Sequence, residues 1–149
     1  MKIITFAMAS AMAGLALAGC ATVEETVVEK TSKTFNATLT GAQEPGGGDP
    51  DGYGRAEVSV SDELDQICYD VNDVRGIGPV TMAHIHRGAA GVNGPPVITL
   101  KQANEGGWKG CTSKAEWKED ALERNPGNYY VNLHTAEFPG GAIRGQLGN

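Results

Sequence analysis

The sequence predicts an all-β fold: a Greek-key β-sandwich or barrel of about seven to eight antiparallel strands with one short helix and one disulfide. Three observations carry that expectation. Apolar and polar residues alternate in short runs, the pattern of half-buried strands. Glycine makes up 21 of 149 residues, about twice ordinary usage, and with proline it punctuates the chain at turn-like spacing. The length suits a single domain.

The strands follow in order. Phe35, Ala37 and Leu39 alternate with polar neighbours until Gly41 breaks the run, and a turn-rich loop leads from Pro45 to Gly54. Ala56, Val58 and Val60 mark a second strand, Ile67 to Val74 a third and Pro79 to His86 a fourth. Val97 to Leu100 is a short fifth, Tyr129 to Thr135 a sixth, and Ala142 to Leu147 a seventh. One helix interrupts them. Ser113-Lys114-Ala115-Glu116 reads as a capping box, and the helix runs to about Arg124, where Asn125-Pro126-Gly127 stops it. Trp117, Ala121 and Leu122 give it an apolar side that covers one end of the sandwich.

Net charge is −6, from 12 Lys and Arg against 18 Asp and Glu. No basic patch is visible, which excludes a nucleic-acid partner. At 20% the charged fraction is also too low for an ionic disordered chain.

The first nineteen residues read as an address. Met1-Lys2 is a short positive start, and the apolar run Ile3 to Leu17 is too short and too rich in small residues to span a bilayer. Leu17-Ala18-Gly19-Cys20 looks like a bacterial lipobox, which implies that Cys20 is lipidated and becomes the new N-terminus. Cleavage there leaves 130 residues and, with Lys2 gone, a net charge of −7. Ala21 after the lipidated cysteine points, by bacterial sorting rules, to an outer-membrane lipoprotein, periplasmic or surface-exposed. The lipid anchors without spanning, so the membrane is the expected partner; no protein partner can be named. Residues 20–34 read as a flexible tether.

With Cys20 lipidated, Cys68 and Cys111 remain. In an oxidising compartment that parity reads as one disulfide; two buried free thiols are the alternative.

The polar constellation carries the functional information. His84 and His86 are two apart on one strand, so they share a face with Cα atoms about 6.6 Å apart. His134 shares its face with Asn132 and Tyr130, and Arg144 shares one with Gln146. The opposite faces carry Ala83 and Ile85, Val131 and Leu133, and Ile143 and Leu147. If these strands are neighbours, the polar sides form one patch. Three imidazoles there make a metal site, with copper favoured over zinc on intrinsic affinity. The alternative is a structural network in which the imidazoles bond to Asn132, Gln146 or backbone carbonyls. Met82 lies on the same face, where a thioether would favour Cu(I), although a core methionine is the commoner role. Neither G-x-S-x-G, P-loop nor H-E-x-x-H motifs are present, and Asp49-Pro50-Asp51-Gly52 lacks the further ligands of a calcium loop.

At this point the chain resembles a known family. Met82-Ala83-His84-Ile85-His86-Arg87-Gly88 with Gly91-Val92-Asn93-Gly94-Pro95 looks like the CHRD domain, the module repeated in chordin. So do residues 128–135 (NYYVNLHT), residues 138–147 (FPGGAIRGQL) and the opening residues 35–44 (FNATLTGAQE). The resemblance spans Phe35 to Leu147, within a domain assigned to residues 35–149. Ala142 departs from the family, which usually has an acidic residue there, and so removes a salt-bridge partner for Arg144. No settled activity comes with the resemblance, and chordin's role in growth-factor signalling does not carry to a bacterial lipoprotein.

A weaker similarity is to Cu/Zn superoxide dismutase, where His84, His86, His134 and Arg144 fall in the same order. It implies three copper ligands and an arginine guiding an anionic substrate. A fourth, bridging histidine is missing, and the cysteine spacing differs. The expectations are thus a copper-binding lipoprotein with His84, His86 and His134 as ligands and Asn132, Gln146 and Arg144 behind them; a non-catalytic adhesion or structural domain without metal; or a copper-only dismutase-like enzyme. The non-enzymatic readings are preferred.

Overall fold

The computed structural model describes residues 32–113 and 117–148. The predicted signal segment, Cys20, most of the tether and residues 114–116 of the capping box lie outside the described residues. Among the described residues, no helix is long and apolar enough to cross a membrane.

Eight strands form one antiparallel sheet: β1 (Lys33–Thr40), β2 (Tyr53–Ser61), β3 (Gln66–Arg75), β4 (Val80–Arg87), β5 (Pro96–Thr99), β6 (Trp108–Ser113), β7 (Tyr129–Thr135) and β8 (Ile143–Gln146). Their order is β5-β4-β7-β8-β1-β2-β3-β6. The chain crosses from one half of the sheet to the other after β3, after β5 and again after β6. The sheet curls into a half-barrel whose two halves meet at a narrow β8–β1 seam. Across the open side, the backbone N–H of Lys101, just past β5, donates to the Tyr69 hydroxyl on β3 at 2.9 Å.

Alternation places the core. Phe35, Ala37 and Leu39 of β1, Ala56, Val58 and Val60 of β2, and Ala83 and Ile85 of β4 are all buried in one apolar cluster with Val131, Leu133 and Ile143. The helix α1 (Trp117–Arg124) buries Leu122 in that cluster, and Glu123 pairs with Lys33 of β1.

Strand β6 was not among the predicted strands. It is an edge strand paired with β3; its exposure alternates, but its inward positions after Trp108 are Gly110 and Thr112, so the apolar signal is lost. Cys68 and Cys111 sit directly opposite each other in that pairing and form the predicted disulfide, so the free-thiol alternative falls.

Candidate metal centre

Neighbouring strands β4, β7 and β8 unite the three polar faces. His84 lies opposite Asn132, His86 opposite Tyr130, and Asn132 in turn opposite Arg144. Sequence alone leaves open whether this face is buried. On β7 both faces are buried, and on β4 the polar face runs from buried His86 through half-buried His84 to exposed Met82. The apolar face lies on the core, and the loops of residues 88–95 and 136–142 cover the polar face. The core assignment therefore stands without inversion.

Those loops hold the imidazoles. His86 Nδ1 donates to the Gly94 carbonyl at 2.9 Å, and His134 Nδ1 to the Pro139 carbonyl at 3.0 Å. A carbonyl only accepts, so in each neutral ring the proton sits on Nδ1 and the lone pair on Nε2. His84 Nδ1 then donates to His134 Nε2 at 3.2 Å. His86 Nε2 is buried without a partner, as is Asn132 Oδ1. One nitrogen from each ring lies within 4.8 Å of the others. Two imidazoles on one tetrahedral ion stand about 3.3 Å apart, so the His84–His134 pair is near ligand spacing, and an ion there would require the His84 proton to sit on Nε2 instead of Nδ1. Burial, with His134 nearby, holds His84 below the usual imidazole range. Burial likewise pushes His86 down, against the pull of the Gly94 carbonyl. Both effects favour the neutral form that a metal needs.

Gly94 makes the first clamp possible, because a β-carbon there would overlap the Arg87 carbonyl oxygen. The same loop is pinned by Arg144, whose Nη2 donates to the Ala89 carbonyl at 2.9 Å, and by Gln146, whose Nε2 donates to the Gly88 carbonyl at 2.7 Å. Tyr130 links these parts. Its ring stacks on His86 at 4.8 Å between centroids, and the Arg144 guanidinium carbon lies 3.3 Å from its centre.

Of the partners expected for the imidazoles, Asn132, Gln146 or backbone carbonyls, the structure shows the carbonyls of Gly94 and Pro139, together with a His84–His134 contact. Gln146 instead serves the loop, because from β8 its amide reaches past Tyr130 to Gly88 and Gly127. One expectation is corrected, that for Met82. Met82 is no core residue: it is 48% exposed, opposite His134 near the end of the β4–β7 pairing where the register shifts. Arg144 is 1% exposed, with no carboxylate within ion-pair distance among the described residues.

Sequence reading gave Glu44 no role, although it closes the CHRD-like opening residues 35–44. It follows a one-turn 3-10 segment after β1 and is buried, with Oε1 unpartnered. Burial pushes its carboxyl up to about 7, outweighing the Arg144 guanidinium, which pulls it down. The folded state therefore holds a proton that the unfolded state releases between about pH 4.5 and about pH 7. Stability from this group is intact below that window and falls as pH rises through it, by about 3 kcal/mol in all. Thermal melts across this range should show the loss in the natural protein, and Glu44→Gln should remove that component. A stability difference between the two that does not change with pH would contradict this placement of Glu44.

The family model for the CHRD domain matches residues 35–147, well over half the chain. No curated protein and no solved structure matches.

Proposed function

Since this chain belongs to the CHRD domain family, whose membership assigns no activity, we propose that it is a metal-binding lipoprotein of the bacterial cell envelope. It holds one copper ion through His84, His86 and His134. The observation that carries the reading is the buried, unpartnered Nε2 of His86 in a cluster where one nitrogen from each of the three imidazoles lies within 4.8 Å of the others. An orphaned buried acceptor costs roughly 1–3 kcal/mol, a cost that an ion at that point removes. Rings fixed through Nδ1 to backbone carbonyls are the arrangement that orients imidazole ligands in metal sites.

Copper is preferred to zinc on intrinsic affinity and on the half-exposed Met82 thioether beside the cluster. The lipobox at Cys20 supports an outer-membrane anchor and a role in metal storage, delivery or protection there. The dismutase-like reading is weaker, because a guanidinium 1% exposed and committed to Ala89 and Gln146 is poorly placed to guide an anion from solvent. An adhesion domain without metal leaves the orphaned His86 nitrogen unexplained.

Competitive titration of the full-length protein with Cu(I), Cu(II) and Zn(II) tests this reading. Copper should bind ahead of zinc, and Met82→Leu should weaken Cu(I) by about tenfold while leaving Zn(II) unchanged. Zinc binding ahead of both copper states would overturn the copper assignment.

A further inference from the structure

Glu44 poses a problem independent of the histidines. Its side chain is 8% exposed, Oε1 meets no donor, and no hydrogen bond to the carboxylate is formed among the described residues. A buried carboxyl left in this state is costly unless something compensates it. Arg144 is near enough to influence it, but the nitrogens of Arg144 go to Ala89, Asn93 and Gln146. The carboxyl is also held in place. A β-carbon on Gly141, whose φ is +143°, would strike its oxygens, and one on Gly48 would crowd its Cγ. The fold thus reserves room for a carboxyl to which it offers no hydrogen-bond donor among the described residues.

Glu44 borders an open cavity of about 290 Å³ between the 3-10 segment after β1 and the two loops that clamp the histidines. Glu137 adds a second carboxylate at its edge, Asn93 an amide, and Phe138 and Pro139 apolar walls; no cationic side chain lines it.

We propose that this cavity binds a compact organic cation: a primary ammonium group on a short apolar stem, its N–H donors satisfying the Glu44 carboxylate and its stem lying against Phe138 and Pro139. A charge-assisted hydrogen bond supplies what Glu44 lacks. An aromatic wall adds attraction for the cation. A calcium ion fits less well. It asks for six to eight oxygens, and two carboxylates and an amide provide too few side-chain ligands. The charged groups facing Glu44 are Arg144 on β8 and Glu137 on the loop after β7.

The test is calorimetric titration of the full-length protein with n-butylammonium, tetramethylammonium and Ca²⁺ salts. Butylammonium should bind saturably, and more tightly as pH rises from about 6 to about 8 while Glu44 loses its proton. Tetramethylammonium has no N–H donor and should bind about tenfold more weakly. Glu44→Gln should lose about tenfold and Glu137→Gln a few-fold, with a cooperative melt confirming that each variant is folded. If Glu44→Gln fails to fold, the tetramethylammonium contrast and Glu137→Gln decide. Absence of saturation up to about 100 mM, undiminished binding by folded Glu44→Gln, or Ca²⁺ binding in preference to butylammonium would each overturn the proposal. None of these outcomes depends on metal at the histidines.

Discussion

Replacing Arg144 with alanine should cost about 3–5 kcal/mol of folding stability, a large share of the 5–15 kcal/mol that a typical domain has. Two opposing effects decide the sign. The guanidinium is 1% exposed without a carboxylate at ion-pair distance, so its desolvation is unfavourable by several kcal/mol. That effect alone would make an apolar substitute stabilising. Against it stand charged hydrogen bonds to the Ala89 carbonyl and Gln146 Oε1, each contributing about 1.5–3 kcal/mol, and the stack on Tyr130, contributing about 2 kcal/mol in a dry setting. Removal also takes from the Ala89 carbonyl the donor that pins its loop.

The attractive effects are the larger, so Arg144→Met, which keeps most of the volume, should still lose about 2 kcal/mol in urea unfolding. A methionine variant as stable as the natural protein would show that desolvation wins. Because Arg144 pins the loop that carries Gly94, the same variant should bind metal about 10- to 100-fold more weakly.

Cutting the Cys68–Cys111 disulfide should have a comparable effect. It closes a loop of 43 residues, for which chain entropy gives about 4 kcal/mol. That loop contains β4 and β5, and therefore His84 and His86. The bridge also fastens edge strand β6, which among the described residues has no strand on its outer side. The Cys68→Ala/Cys111→Ala protein should lose about 3–4 kcal/mol in urea unfolding and hold its metal less tightly. A loss below about 1 kcal/mol would mean that the β3–β6 pairing already restricts the unfolded chain.

Much of this was legible in the sequence for definite physical reasons. A strand with one face on the core must alternate, so β1, β2, β4 and β7 declared themselves. Two histidines at i and i+2 must share a face, and the β7–β8 hairpin had to bring Asn132 and Arg144 together. Cysteine parity identified the disulfide. What stayed hidden depends on tertiary contact. Strand β6 shows little apolar alternation because its inward positions after Trp108 are Gly110 and Thr112. The burial of the histidine face is imposed by loops, and loop paths leave no periodicity. Met82 reads as core from its residue type, yet lies where no loop covers it. Glu44 ends the CHRD-like opening motif, but nothing in that motif signals its burial; its significance comes from glycines at positions 48 and 141 that only the fold brings beside it.

The central claim is that His84, His86 and His134 form one metal site. Metal analysis of the full-length protein after equilibration with copper, beside a His84→Ala/His86→Ala/His134→Ala variant, tests it most directly. One ion per chain is expected, lost in the folded variant, with affinity falling as pH drops through about 6. A folded natural protein that takes up no ion at free copper on the order of micromolar, or a triple variant that binds as well, would contradict the claim and leave the histidines as architecture.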